Sequence, residues 1–209
     1  MNTAKLIQKE IKNKHLKLIF NKKIEFKPSQ FIKVYDNKNN YAIYTIAQKT
    51  KEDLLELYIT NANTGTIARY LNSLKINESI NYEGPLGISK ITKLSKNKLF
   101  FIALGSGIAS YRALIYNQLE KRKITLIYIN TNEKDTFYSN EFEKLDINYY
   151  QIITSKLKDR NETILLISSK LPKDKENYLF FVSGPPEATK NINNLLLKEN
   201  IPKEQIIIN

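Results

Sequence analysis

The sequence predicts a β plus α/β chain: an N-terminal antiparallel β-barrel of the six-stranded type, followed by a five-stranded parallel α/β domain. Two observations carry this. Up to residue 83 the chain runs in short segments rich in β-branched and aromatic residues, separated by Asn, Lys, Pro and Asp. Beyond the basic stretch from Lys93 to Lys98 the rhythm changes to alternating strands and helices, the pattern of a parallel sheet with crossover helices. A division at residues 96/97 follows, giving domains 1–96 and 97–209.

In the first half, strands are expected at residues 15–20, 31–35, 41–47, 54–60 and 79–83. Around Phe31, Ile32, Lys33, Val34 and Tyr35 neither face is clearly polar, which suits a small closed barrel better than a one-sided sheet. A helix is expected at 66–74, where Ile67, Tyr70, Leu71 and Leu74 recur at helical spacing after Asn63, Thr64 and Gly65. In the second half, strands fit 99–104, 124–130, 149–153, 178–183 and 205–208, and helices fit 108–121, 139–145 and 186–198. Residues 163–171 suit either.

Composition narrows the function. With 42% hydrophobic residues and 22 Phe and Tyr, the chain is neither disordered nor fibrous. Its apolar runs stop far short of the ~20 residues of a membrane helix. The N-terminal segment shows no compact apolar stretch or small-residue cleavage site, so a soluble cytoplasmic protein is expected. The absence of Cys excludes disulfides, zinc knuckles and cysteine-ligated iron–sulfur clusters, and a single histidine, His15, argues against a His-based triad. The net charge of +12 suggests nucleic acid. Yet the four arginines are scattered and acids interleave with the lysines, so a solvated basic surface is the simpler reading, one suited to an acidic partner or an anionic cofactor.

Glycine marks the candidate sites. The chain has six, where average usage would give roughly fifteen. A sequence so sparing should keep glycine where positive φ or close backbone approach demands it. Gly65 precedes a helix, Gly84 and Gly87 flank a turn, Gly105 and Gly107 follow the first parallel strand, and Gly184 follows a later one. Gly105-Ser106-Gly107 between strand and helix makes a plausible anion cradle. The third glycine of the dinucleotide fingerprint is replaced by Ser110, and Asn130, Thr131 and Asn132 stand where an acidic ribose ligand would end the second strand. Gly184-Pro185-Pro186 opens another helix, and both loops belong at the carboxyl ends of the strands, where open α/β sheets bind ligands.

In their order and spacing these segments resemble the ferredoxin–NADP reductase family, a flavin-binding barrel followed by a pyridine-nucleotide domain, over nearly the whole chain. The stretch from Phe26 to Phe31 resembles the family's PGQF, with Ser29 for its glycine. Residues 41–47 (YAIYTIA) resemble its RxYS motif, residues 65–71 (GTIARYL) its GxxSxxL phosphate helix, and Gly84 to Gly87 its GPxG. Residues 103–110 resemble AGGTGIAP, residues 128–141 the loop running to a Tyr and a Glu, and residues 183–188 the CGPxxM segment. The chain departs from these motifs at Ala42, where an Arg is usual, at Ala68 for a hydroxyl, at Leu104 for a glycine and at Ser183 for a Cys.

The resemblance implies FAD, with FMN as the alternative flavin, and NADP or NAD as substrate. It implies that Tyr44, with Ile43 beside it, packs on the flavin ring and that Thr45 offers its hydroxyl near the reactive edge. It implies that Gly65, Thr66, Ile67 and Ala68 hold the pyrophosphate. Gly105, Ser106 and Gly107 would hold the phosphates of the pyridine nucleotide, with Asn130 and Tyr138 nearby, and Ser183, Gly184 and Pro185 would border the nicotinamide. Thr45 and Ser183 are the catalytic candidates; no metal is implied. The expected activity is a flavin-dependent oxidoreductase passing electrons to a separate acceptor, such as a ferredoxin-like carrier or another acidic protein. The alternative is a flavin-free binding or regulatory subunit. A site completed by a second copy of the chain also stands open, and nucleic acid is the weakest partner.

Overall fold

The computed structural model describes residues 1–87 and 96–209, and its contacts group the chain into two compact units. The expected division at 96/97 lies in the basic stretch 93–98, of which residues 93–95 fall outside the described residues.

The first unit contains β1 (Asn2–Lys12), β2 (His15–Asn21), β3 (Phe31–Tyr35), β4 (Tyr41–Thr45), β5 (Leu55–Ile59), α1 (Thr66–Ser73) and β6 (Ser79–Leu86). The six strands form one antiparallel sheet in the order β4-β3-β6-β1-β2-β5. An antiparallel bridge from Ile46 to Leu57 joins the two edges, closing the sheet into a barrel. Alternation supplies the core: Ile32 and Val34 of β3 and Leu55 and Leu57 of β5 are fully buried. Ile67, Ala68 and Leu71 of α1 pack into the same cluster, each burying apolar surface at roughly 25 cal/mol per Å². Strand β5 is buried on both faces. Its second face carries Glu56 and Tyr58, the latter's hydroxyl 3.1 Å from Nδ1 of the buried His15.

Strand β1 was not among the expected elements. Ala4 and Leu6 point into the core, but a bulge between Leu6 and Gln8 shifts the register and leaves Ile7 exposed. The period-2 signal is therefore broken in the middle of the strand.

The second sheet is built from β7 (Lys98–Leu104), β8 (Lys123–Asn130), β9 (Asn148–Ile153), β10 (Tyr178–Ser183) and β11 (Ile206–Ile208), all parallel in the order β11-β10-β7-β8-β9. A 3-10 turn (Gly105–Ile108) and α2 (Ala109–Gln118) follow β7. Contacts draw Ala109–Asn117, C-terminal to the expected boundary, into the first unit. Three further helices, α3 (Ser139–Phe142), α4 (Arg160–Lys170) and α5 (Pro186–Lys198), complete the second unit. Covered on both faces, its strands read as near-continuous apolar runs, with Phe101 stacked on Phe181 at 4.8 Å between ring centres. The strand order reverses at the β7/β10 pair, the switch point of an open α/β sheet.

Of residues 163–171, which suit strand or helix by sequence, 163–170 are helical as part of α4 and Leu171 is its extended C-cap. The Asp159 side chain accepts the Glu162 N–H at 3.0 Å, and the Glu162 carboxylate accepts the Lys158 N–H at 2.7 Å. This reciprocal cap is a sequence signal, Asp-x-x-Glu, that marks where the helix begins.

Candidate cofactor-binding sites

In the first unit the candidate site gathers at one end of α1. Gly65 has φ +79°, and a Cβ placed on it would meet no atom within 4 Å. The first intrahelical bond runs from the Arg69 N–H to the Gly65 carbonyl at 3.2 Å, so the amides of Thr66, Ile67 and Ala68 have no partner within the helix. No side chain caps this end, and no acidic residue lies in the first turn. The opposite end is closed: the Lys9 ammonium donates to the Asn72 carbonyl and, at 3.1 Å, to that of Leu74. A helix capped by a cation at its negative end and bare at its positive end offers a directed site for an anion.

Strand β4 positions the aromatic candidate. Tyr44 and Ala42 pair with Ile32 and Val34 and pack on the margin of the barrel core, whereas Ile43 pairs with Lys33 and is 55% exposed. Burial pushes the Tyr44 hydroxyl up to about 12, so it is a neutral phenol at any working pH. Thr45, half-buried, ends the strand opposite Phe31. Ser29, standing for a glycine of the resembling motif, takes φ +70°, a conformation glycine adopts more easily; its hydroxyl donates to the Ser110 carbonyl at 3.0 Å.

In the second unit, the loops after β7 and β10 touch. A Cβ on Gly107 would lie 2.3 Å from the Ser183 carbonyl oxygen, and one on Gly184 would lie 2.7 Å from the Cβ of Leu104. The first contact explains Gly107. The second explains how Leu104 is accommodated where the family motif has a glycine: Gly184 leaves the room that Leu104 fills. Gly105 has φ +53°, and the segment from Gly105 forms a 3-10 turn rather than the first turn of α2.

The remaining expected residues are spread along the carboxyl edge of the sheet. Ser183 is buried at the end of β10, and Pro185 is exposed just before α5. Tyr138 is half-buried in the left-handed region and starts α3. Asn130 ends β8 at 4% exposure, its side-chain amide without a hydrogen-bond partner among the described residues.

A cavity of about 930 Å³ opens at that edge and runs between α4 and α5. Leu104, Ile129, Thr154 and Pro185 bring it to the strand ends, Ile167 and Ile192 form part of its apolar lining, and Lys158 and Arg160 add cations. The Arg160 guanidinium reaches Glu187 at 3.0 Å, an exposed pair of small energetic weight. Sequence reasoning missed these residues, because the lining comes from four separate segments. Size, apolar lining and a few charged groups at a switch-point edge suit a nucleotide.

Residues 1–91 match the family model of the oxidoreductase FAD-binding domain. The NADH-cytochrome b5 reductase 1 of Laccaria bicolor is 34% identical over 119 residues, which is 54% of this chain and 39% of that protein. The NADH-cytochrome b5 reductase 2 of Ajellomyces capsulatus is 26% identical over 167 residues, covering 72% of this chain and 51% of that protein. The chain thus spans about half the length, or less, of these two curated relatives. Among solved structures, a ferredoxin NADP+ reductase from Neisseria gonorrhoeae with bound FAD and NADP superposes with a TM-score of 0.83 at 17% identity, covering 100% of this chain and 97% of that one. The ferredoxin-NADP+ reductase from Plasmodium falciparum gives 0.77 at 18% identity, with 99% and 95% covered. At such identities the likeness speaks to the fold. With the six-stranded barrel and the five-stranded parallel sheet, these matches show that the chain has the fold of the ferredoxin–NADP reductases and that its first 91 residues are similar to an oxidoreductase FAD-binding domain.

Proposed function

We propose that the chain is a flavin-dependent oxidoreductase that takes a hydride from NAD(P)H and passes electrons to a separate acceptor. The observation that carries this reading is the bare amino end of α1, opened by Gly65 onto free space and lacking any acidic or capping side chain. The amides of Thr66, Ile67 and Ala68 would hold the pyrophosphate of FAD there. Tyr44 would lend its flat, uncharged ring to the flavin, and Thr45 a hydroxyl at the ring's edge. The flavin, when bound, supplies two-electron acceptance and one-electron release, chemistry no side chain of this chain can supply. In the second unit the turn from Gly105 to Gly107 and the loop from Ser183 to Pro185 would receive the pyridine nucleotide, with the adjoining cavity for its adenosine end. Among the described residues no helix is long and apolar enough to cross a membrane.

The test is the visible spectrum of the purified protein. A flavin absorbance that bleaches on adding NADH or NADPH without oxygen is the expected result. A colourless protein that takes up neither FAD nor FMN would overturn the reading and favour the flavin-free binding module. Tyr44→Ala should weaken FAD binding about tenfold or more through the lost ring contact, with little change in the far-ultraviolet circular dichroism. Unchanged binding would remove Tyr44 from the site.

The net charge of +12 supports an acidic protein as the electron acceptor. Reduction of an acidic carrier should slow severalfold between about 50 and 300 mM salt, as screening shortens the reach of the field. A rate indifferent to salt would refute the steering.

A further inference from the structure

On β5 the chain buries a charge pair that the proposed reaction does not itself use. Arg112 of α2 and Glu56 of β5 are each 6% exposed, and the guanidinium Nη1 meets the Glu56 carboxylate at 2.9 Å. The same nitrogen donates to the carbonyl of Ala47 at 3.1 Å. Ala47 is held from its other side as well: its N–H donates to the Glu56 carbonyl at 2.9 Å, and the side-chain oxygen of the fully buried Gln48 accepts the Glu56 N–H at 2.9 Å. One residue earlier, Ile46 bridges to Leu57. The three residues after Tyr44-Thr45 are therefore clamped between β5 and one arginine.

Stability alone is a poor reason for such a pair. Removing two charges from water carries a large desolvation cost, and well-packed apolar replacements of buried pairs are often as stable or more so. Directionality is what an apolar pair cannot reproduce. Arginine presents several N–H groups in a rigid plane, so it can be fixed by a carboxylate while a further donor aims at a carbonyl.

We propose that Arg112 is a positioning residue of the flavin site: fixed by Glu56, it sets the Ala47 carbonyl and through it the backbone that carries Tyr44 and Thr45. This rests on the flavin reading given above, and the test separates the two. Arg112 touches neither cofactor nor substrate in this role; it acts through two residues of main chain.

The full-length protein is compared with the double variant Arg112→Leu/Glu56→Leu, which removes both charges together, and with Arg112→Lys, which keeps the cation but loses the planar fork. Amide hydrogen exchange is measured first, on protein stripped of flavin. Exchange across residues 46–48 should quicken at least tenfold in the double variant, and by less in Arg112→Lys, while β1 and β2 exchange as in the native chain. FAD titration should then show affinity lowered at least tenfold in the double variant, with Arg112→Lys between it and native. Faster exchange with native flavin affinity overturns the proposal, because the clamp would then be structural only. Native exchange at residues 46–48 in either variant overturns it too, and Arg112→Lys alone decides should the double variant not fold. A native protein that binds no flavin defeats the flavin reading, which the exchange data on residues 46–48 would not be able to do.

Discussion

Gly107→Ala is expected to lower the melting temperature of the second unit by about 5–10 °C and to raise the KM for the pyridine nucleotide at least tenfold, leaving flavin retention intact. The new methyl carbon would lie 2.3 Å from the Ser183 carbonyl oxygen, 2.6 Å from its carbon and 2.9 Å from the Gly184 nitrogen. All three are backbone atoms. Ser183 pairs in register with Ala103 of β7, so it cannot withdraw without loosening the ladder at the switch point. Overpacking against an unyielding neighbour costs about 1–3 kcal/mol, which in a domain of this size is several degrees. The loop after β7 must therefore lift away from the loop after β10, and these loops are the two assigned to the nucleotide. Gly65→Ala gives the contrast. There the added carbon meets nothing within 4 Å, and only the positive φ is strained. Differential scanning calorimetry and steady-state kinetics check both. A Gly107→Ala protein with native melting and native KM would show that the loops are not locked together.

How far these features can be read from the sequence depends on the range of the forces that make them. Helix α5 is legible to the residue, because Pro186 marks its first turn. Strand β3, Phe31–Tyr35, is read just as closely from its β-branched and aromatic content. The site glycines are legible because backbone conformation leaves so few alternatives: Gly65, Gly84, Gly87, Gly105 and Gly184 all have positive φ, and Gly107 is required by close approach. Helix α4 is ambiguous for a local reason. Ile164, Leu165, Leu166 and Ile167 are apolar in succession, which hides the period, and only the fold shows that Ile167 is buried while Leu165 is 68% exposed. The Arg112–Glu56 pair lies beyond any local signal, since its members are 56 residues apart and meet only when α2 lies on β5. The cavity is illegible for the same reason. Nothing in any one of its segments reveals the space between α4 and α5.

Thr66→Glu should move stability and flavin affinity in opposite directions, which a simple defect in folding cannot do. Thr66 is the exposed first residue of α1, and the first turn holds no acid. A carboxylate placed there interacts favourably with the helix dipole and the unpaired amides, so the flavin-free protein should gain about 0.3–1 kcal/mol and melt a few degrees higher. The same carboxylate stands where the pyrophosphate would bring its own negative charge. Two like charges about 4 Å apart repel by about 1–4 kcal/mol between the dielectric of bulk water and that of a protein surface, a loss of roughly five- to several-hundredfold in affinity. Thr66→Gln, of similar length but uncharged, should leave FAD affinity within a fewfold of native. Raising the salt concentration should narrow the gap between the two variants, because the penalty is electrostatic. Thermal melting of the flavin-free protein and fluorescence titration with FAD measure the two quantities separately. If the glutamate variant binds FAD as tightly as the native chain, the bare end of α1 does not hold the pyrophosphate, and the anion must be sought elsewhere on the barrel.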